Sequence, residues 1–228
     1  MKLRYLGHSC FQLQVNGKLL VFDPFIRGNT LAADAGIDID AIEADYILVS
    51  HGHDDHTGDL MYMAERTSAT VIASWEIYSW LNKQGYTQAH PMNVGGSREF
   101  EFGKLKMTFA AHSSSLADGT YAGVAAGYIL QTESKCLYYA GDTALTQDMK
   151  LIGEYYKPDW AILPLGDNFT MGYEDANRAA DMIGCNKIIG MHYDTFGLIQ
   201  LDHKKAVSHF KQNQKELHLL PIGTEIAL

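Results

Sequence analysis

The sequence predicts a mixed α/β domain in which two β-sheets pack face to face and helices flank them. Three observations carry that reading. Short strand-like runs joined by turns open and close the chain, helical stretches are interspersed among further strands, and the two halves follow a loosely similar plan. A single doubly wound parallel sheet is the alternative, and hairpins at both chain ends count against it. With 228 residues, 46% hydrophobic and 20% charged, the chain has the size and composition of one globular domain over residues 1–228. No Ser/Gly-rich or Gln-rich tract marks a linker.

Taken in order, KLRYL, CFQLQV and KLLVFD read as strands, with Asn16-Gly17 as the hairpin turn between the second and third. Residues 28–44 read as loop with room for a short helix. DYILVS (45–50) is a continuous apolar run of the kind buried on both faces of a sheet, and it leads directly into HGHDDH. A helix is expected from Thr57 to Glu65, a strand at TVIAS, and a second helix from Trp75 to Lys83 that Gly85 ends. FEFGKLKMTFAAH reads as a hairpin ending at His112. Residues 123–131 and 135–140 read as a strand pair ending at Gly141-Asp142-Thr143. A helix (Gln147–Tyr155), a strand (WAILPL), a helix (Tyr173–Ile183) and a strand (KIIGM) then bring the chain to His192. The helix Asp202–Gln212 and the strands HLL and TEIAL close it.

Charge and cysteine content narrow the function. The formal net charge is −9, and no Lys/Arg cluster stands out, so a surface for nucleic acid is not expected. Bound metal dications would offset part of the negative charge. Cys10, Cys136 and Cys185 are far apart and form no CxxC pair, which reads as reduced, buried thiols rather than a zinc ribbon or redox dithiol. The N-terminal segment lacks the apolar core of a signal peptide, and no apolar run approaches a membrane span. The expectation is a cytoplasmic protein acting on a small molecule, without nucleic-acid or membrane partners. Nothing in the sequence sets an oligomeric state.

The chemistry concentrates in HGHDDH at 51–56. In an extended loop, residues i and i+2 point the same way, so His51 and His53 can share one cation. Asp55 and His56 follow where the chain turns into a helix, and can face a second cation close by. Imidazole with carboxylate suits zinc and other first-row divalent ions. A solvated polar loop poorly explains three His and two Asp directly after a buried strand. Asp23, His112, Asp142 and His192 each follow a predicted strand; alone each reads as a turn or cap residue, but strand ends on one sheet edge converge.

These motifs resemble the metallo-β-lactamase superfamily, whose pattern is HxHxDH followed by a distant His, a distant Asp and a last His. HGHDDH, His112 in AAHSSS, Asp142 in AGDTA and His192 in GMHYDTF match it in order, and Asp23 in VFDPF matches the early aspartate. The resemblance spans nearly the whole chain. It is nearest to small metal-dependent hydrolases of unassigned substrate that begin with a Leu-Gly-His-Ser segment and are related to sugar-acid phosphate lactonases. It implies a four-layer αββα sandwich with the site along one edge of the sheets. Two divalent ions per chain are implied, zinc first, with manganese, nickel or iron as alternatives. One would be held by His51, His53 and His112, the other by Asp55, His56 and His192, with Asp142 bridging. Asp23 would accept a hydrogen bond from a ligand histidine. Asp142 sets the chain apart from true β-lactamases, and the inserted arms and helical domains of other relatives have no counterpart here.

The implied activity is hydrolysis of a small ester, lactone or phosphodiester by a hydroxide shared between two metals, with Asp55 and Asp142 at the reacting centre. An iron-dependent oxygen-handling enzyme on the same fold, or a metal-binding sensor without catalysis, are the competing readings. His8 ends the first strand in Leu6-Gly7-His8-Ser9-Cys10 and is expected to donate a proton to the leaving group or hold a substrate oxygen, the alternative being a hairpin histidine bonded to backbone. Asn168, in the loop Gly166–Gly172, and Tyr193, beside the last ligand, are expected to line the substrate pocket. Ser113, Ser114 and Ser115 read as turn formers, and His90, His203, His209 and His218 as surface or capping residues.

Overall fold

The computed structural model describes residues 1–228. The first half of the chain forms β1 (Lys2–Gly7), β2 (Cys10–Val15), β3 (Lys18–Phe22), α1 (Thr30–Asp34), β4 (Tyr46–Leu48), α2 (Asp54–Thr57), α3 (Leu60–Thr67), β5 (Thr70–Ser74), α4 (Trp75–Lys83) and β6 (Ala89–Met92). The second half forms β7 (Ser97–Phe100), β8 (Gly103–Phe109), β9 (Ala126–Gln131), β10 (Cys136–Tyr139), α5 (Asp148–Tyr156), β11 (Trp160–Pro164), α6 (Tyr173–Ile183), β12 (Lys187–Met191), α7 (His203–Gln212), β13 (Glu216–His218) and β14 (Glu225–Ala227). The strands make two seven-stranded sheets, ordered β14-β1-β2-β3-β4-β5-β6 and β13-β12-β11-β10-β9-β8-β7. Each half of the chain thus builds one sheet, except that β14 returns to pair antiparallel with β1.

Strand periodicity of two sorts the side chains into layers. Between the sheets, Leu3, Phe11, Leu20, Leu48 and Ile72 meet Leu105, Tyr128, Leu137, Ile162 and Ile189. Alternate residues of the first sheet, Val21, Ile47 and Val71, pack outward against Leu60, Met63, Ile77 and Leu81 of α3 and α4. On the far side Tyr138, Ala161 and Ile188 pack against Ala176, Ala180 and Phe210 of α6 and α7. The result is the αββα sandwich. Strands covered on both faces, β4 and β11, are the ones that read as continuous apolar runs.

Two elements differ from the sequence reading. The helix expected over Thr57–Glu65 is split into α2 and α3, because Asp59 between them turns its carboxylate to the preceding loop. It accepts from Ile26 N at 2.6 Å and Arg27 N at 2.8 Å and pairs with Arg27 Nε at 2.5 Å. Strand β6 was not expected, since its sequence AHPM contains Pro91. It lies at the sheet edge, pairing only with β5, where a proline's missing N–H is tolerated.

Strand direction places the site. In the first sheet β1, β3 and β4 run the same way, and in the second β8, β10, β11 and β12 do. Their C-terminal ends therefore line one edge of the sandwich. His8, Asp23, His51, His112, Asp142 and His192 all lie just beyond such ends. The two sheets are joined there by His192 N donating to the carbonyl of His8 and Ala126 N to that of Ser50, each at 3.0 Å.

No helix is long and apolar enough to cross a membrane. Cys10, Cys136 and Cys185 are unpaired and buried. Burial raises all three thiols, that of Cys136 to about 12, so the reactive thiolate is scarce at neutral pH. A disulfide-exchange reagent should titrate fewer than one thiol per native chain and all three in denaturant. Rapid reaction of all three in the native protein would contradict this packing.

Candidate metal centre

The site begins with Asp23, fully buried at the end of β3. Its Oδ1 accepts from Ser50 N at 2.7 Å. Its Oδ2 lies 2.5 Å from Ser50 Oγ, 2.8 Å from His56 Nδ1 and 2.6 Å from the Tyr139 hydroxyl. A carboxylate only accepts, so every one of these groups is oriented as a donor. Burial, with the Asp23 charge next to it, raises Tyr139 well above its usual value and keeps it protonated. Because Ser50 Oγ gives its proton to Asp23, it accepts from His51 Nδ1, 2.9 Å away. The consequence is a fixed orientation at two rings: His51 and His56 both commit Nδ1 as a donor and turn Nε2 towards the site, where it could bind a metal ion.

His51, His53 and His112 form one group. His51 Nε2 lies 3.0 Å from His53 Nδ1, and the His112 ring centre is 5.1 Å from those of both His51 and His53. Gly52 between the first two histidines is required by packing, since a Cβ there would collide with that of Ala122. Ser114 Oγ accepts from Gly52 N at 3.2 Å and holds the loop. The second group is His8, Asp55, His56 and His192, whose ligand atoms all lie within 4.8 Å of one another. Asp142 sits between the groups, its Oδ2 being 2.9 Å from His192 Nε2, 3.4 Å from His56 Nε2 and 3.7 Å from His112 Nε2.

Charge in this cluster is strongly coupled. Burial holds His51 well below its usual range, with the neighbouring His56 adding to it. Burial alone would lower His56 too, but Asp142 and Asp23 outweigh it and raise it well above the ordinary value. The same contest, with Asp142 prevailing over burial, raises His192 to about 9. Burial would raise Asp142, yet His56 and His192 hold its carboxyl well down. A positive charge makes the contacts of His56 and His192 with the Asp142 carboxylate favourable, and either a proton on the imidazole or a metal ion between the groups supplies it. His56 Nε2, Asp142 Oδ1 and His192 Nδ1 are buried without a hydrogen-bond partner. A buried polar atom left unpaired costs about 1–3 kcal/mol. Imidazole nitrogens and carboxylate oxygens converging in this way fit divalent metal ions.

All seven residues expected as ligands are brought together. Asp23 lies directly behind them. His8 is also in the cluster, but only 1% exposed, with Nδ1 2.9 Å from Thr195 Oγ1 and Nε2 3.1 Å from Asp55 Oδ2. Its ring packs against those of Phe25 and Phe196, and its side chain is inaccessible to solvent. Tyr193 corrects the sequence reading. Left-handed backbone at His192 and Asp194 turns it away from the metal edge, and it packs at 7% exposure in the outer apolar layer with its ring against His203. Asn168 is exposed on its loop, with its backbone N bonded to Asp167 and no hydrogen bond to the cluster. Sequence reasoning missed Ser50 and Tyr139. Both were accessible in principle, since Ser50 directly precedes His51 and the β10 alternation turns Tyr139 inward.

A two-sheet sandwich carrying this His/Asp cluster on its edge defines the metallo-β-lactamase class. A family model described as the β-lactamase superfamily domain matches residues 20–193. Metal-dependent hydrolases designated UPF0173 from Flavobacterium johnsoniae and Methylacidiphilum infernorum are 49% and 47% identical over 228 residues, covering 100% of each chain. A metallo hydrolase from the hyperthermophilic archaeon Ignicoccus hospitalis superposes with a TM-score of 0.88 at 32% identity, covering 99% of this chain and 97% of that one. The chain belongs to the β-lactamase superfamily and, within it, to the UPF0173 metal-dependent hydrolases.

The orienting role of Asp23 can be tested directly. Asp23→Asn replaces an acceptor-only group by one that must also donate, which disturbs the tautomers of His51 and His56 together. Affinity for divalent metal should fall by about 10–100-fold, the loss typical when an outer partner of a ligand histidine is removed. Chelator competition measures it, and unchanged affinity would show that the rings are held by other means.

Proposed function

We propose that this protein is a cytoplasmic hydrolase that cleaves a small ester, lactone or phosphodiester with two divalent metal ions, zinc foremost. His51, His53 and His112 would hold one ion and Asp55, His56 and His192 the other, with Asp142 between them. The observation that carries the reading is the convergence of buried imidazole nitrogens, those of His51 and His56 oriented through Asp23, around the buried Asp142 carboxylate. When bound, ions in such a pair supply a water of lowered pKa and polarise the oxygen of the bond under attack.

The chain's own groups account for orientation and charge. Asp23, through Ser50 and directly, keeps His51 and His56 in the orientation that points Nε2 inward. Asp55 is the most exposed carboxylate of the cluster, its side chain 25% accessible against 2% for Asp142. Burial would raise its pKa, but its contacts with His192 and His8 outweigh that and hold it low, which favours the carboxylate form that a metal ion would bind. Ser113 Oγ, exposed 3.3 Å from His53 Nε2, is placed to donate to a substrate oxygen. A small-molecule substrate agrees with the net charge of −9, which offers long nucleic acid no neutralising surface. Three buried, unpaired thiols agree with a reducing compartment.

Protein loaded with excess zinc or manganese and desalted should retain two ions per chain by elemental analysis. It should turn over a generic phosphodiester or lactone, and Asp142→Asn should lose metal and at least about 10–100-fold of that turnover. Retention of both ions at a near-normal rate by the variant would remove Asp142 from its bridging place. Iron with oxygen consumption in place of hydrolysis would overturn the reading as a whole.

A further inference from the structure

The two groups of candidate ligands are unequal. One consists of His51, His53 and His112; the other contains four residues, because His8 joins Asp55, His56 and His192. We propose that His8 is a further protein ligand at the second metal position, beside Asp55, His56, His192 and the shared Asp142, so that the two positions differ in coordination number. This inference rests on the two-ion reading above and adds a residue and an asymmetry to it.

His8 sits at φ +55, a left-handed conformation that a non-glycine residue adopts at a cost and that persists only where the surroundings enforce it. The enforcement is on the site itself, since the His8 carbonyl accepts from His192 N at 3.0 Å and from the Tyr5 hydroxyl at 3.1 Å. The ring thus held lies with its centre 4.2 Å from that of His192 and 5.6 Å from that of His56. Its outer nitrogen, Nδ1, lies 2.9 Å from Thr195 Oγ1, and that hydroxyl lies 3.4 Å from the Tyr193 carbonyl. With the hydroxyl proton given to the carbonyl, Oγ1 accepts from Nδ1–H, and Nε2 presents a lone pair to Asp55 Oδ2 at 3.1 Å. Two acceptors then face each other, and a cation between them resolves the contact. An imidazole fixed by a hydrogen bond on its far nitrogen is the usual arrangement of a metal-ligating histidine.

A competing arrangement uses the opposite tautomer, in which His8 Nε2–H merely donates to Asp55. The two differ in what can replace the ring. Glutamine offers Asp55 an N–H donor but is a poor ligand for first-row ions, so it restores the hydrogen bond and not the coordination. These four ligands, together with the shared Asp142, give the second position one more protein donor than the first.

Cobalt(II) serves as the probe, with metal content after desalting and visible d–d absorption as readouts. The unaltered protein should bind two cobalt ions. His8→Ala and His8→Gln should both keep the first and bind the second at least about 10-fold more weakly. Their d–d absorption for the second ion should be more intense, as coordination number falls. Unchanged affinity and spectrum in both variants would overturn the proposal, as would rescue by glutamine but not alanine. If both variants misfold, Thr195→Val carries the test: it leaves the ring and removes its partner, and an unaltered second-site affinity would again contradict the inference. One cobalt per unaltered chain would instead remove the two-ion reading, which separates the two failures.

Discussion

Asp23 accepts four hydrogen bonds from three residues at the point where the two sheets meet, and each of those residues belongs to a different part of the site. Ser50 ends the segment that feeds the histidine loop, His56 is a candidate ligand, and Tyr139 comes from the opposite sheet. A buried carboxylate is costly unless it is fully hydrogen-bonded. Satisfying it therefore fixes the relative placement of β3, the loop after β4, α2 and β10. The same bonds decide which nitrogens of His51 and His56 carry protons. Fold and chemistry are thus set by one group.

Around that anchor, the sandwich brings distant residues together by a simple rule. Strands that carry site residues run in a common direction within each sheet, so their C-terminal ends share an edge. The chain leaves several of those ends in left-handed conformation, at His8, Asp23 and His192. These are non-glycine residues, and the strain they hold is concentrated where the side chains must turn towards the site. Glycine appears instead where space is lacking. Gly52 permits the close approach of Ala122, and Gly141, at φ +62, permits that of the Ala126 carbonyl beneath Asp142.

Much of this was legible in the sequence, for identifiable reasons. The helices Trp75–Lys83 and Tyr173–Ile183 and the strand Lys187–Met191 follow from periodicity and from the capping and turn residues at their ends. The metal-capable residues were readable because HGHDDH is dense and the others follow apolar runs. What was hidden depended on contacts between sheets. Nothing local in CLYYAG shows that Tyr139 reaches across to Asp23, and nothing in MHYDTF shows that Tyr193 turns outward while Thr195 turns in. Asp59 split a helix because its carboxylate served a loop more than 30 positions earlier, a long-range preference that periodicity does not report. His8 was visible as a residue at the edge, but only the three-dimensional arrangement shows that both its nitrogens are committed and that its side chain is closed off from solvent.

The central claim is that oriented imidazole nitrogens and the Asp142 carboxylate converge on two cations. Anomalous diffraction from crystals of the zinc-loaded protein, collected on both sides of the metal edge, tests it most directly. Two anomalous peaks should appear in each chain, one among His51, His53 and His112 and one among Asp55, His56 and His192, with Asp142 reaching both. A single peak, or peaks lying away from these residues and His8, would contradict the account.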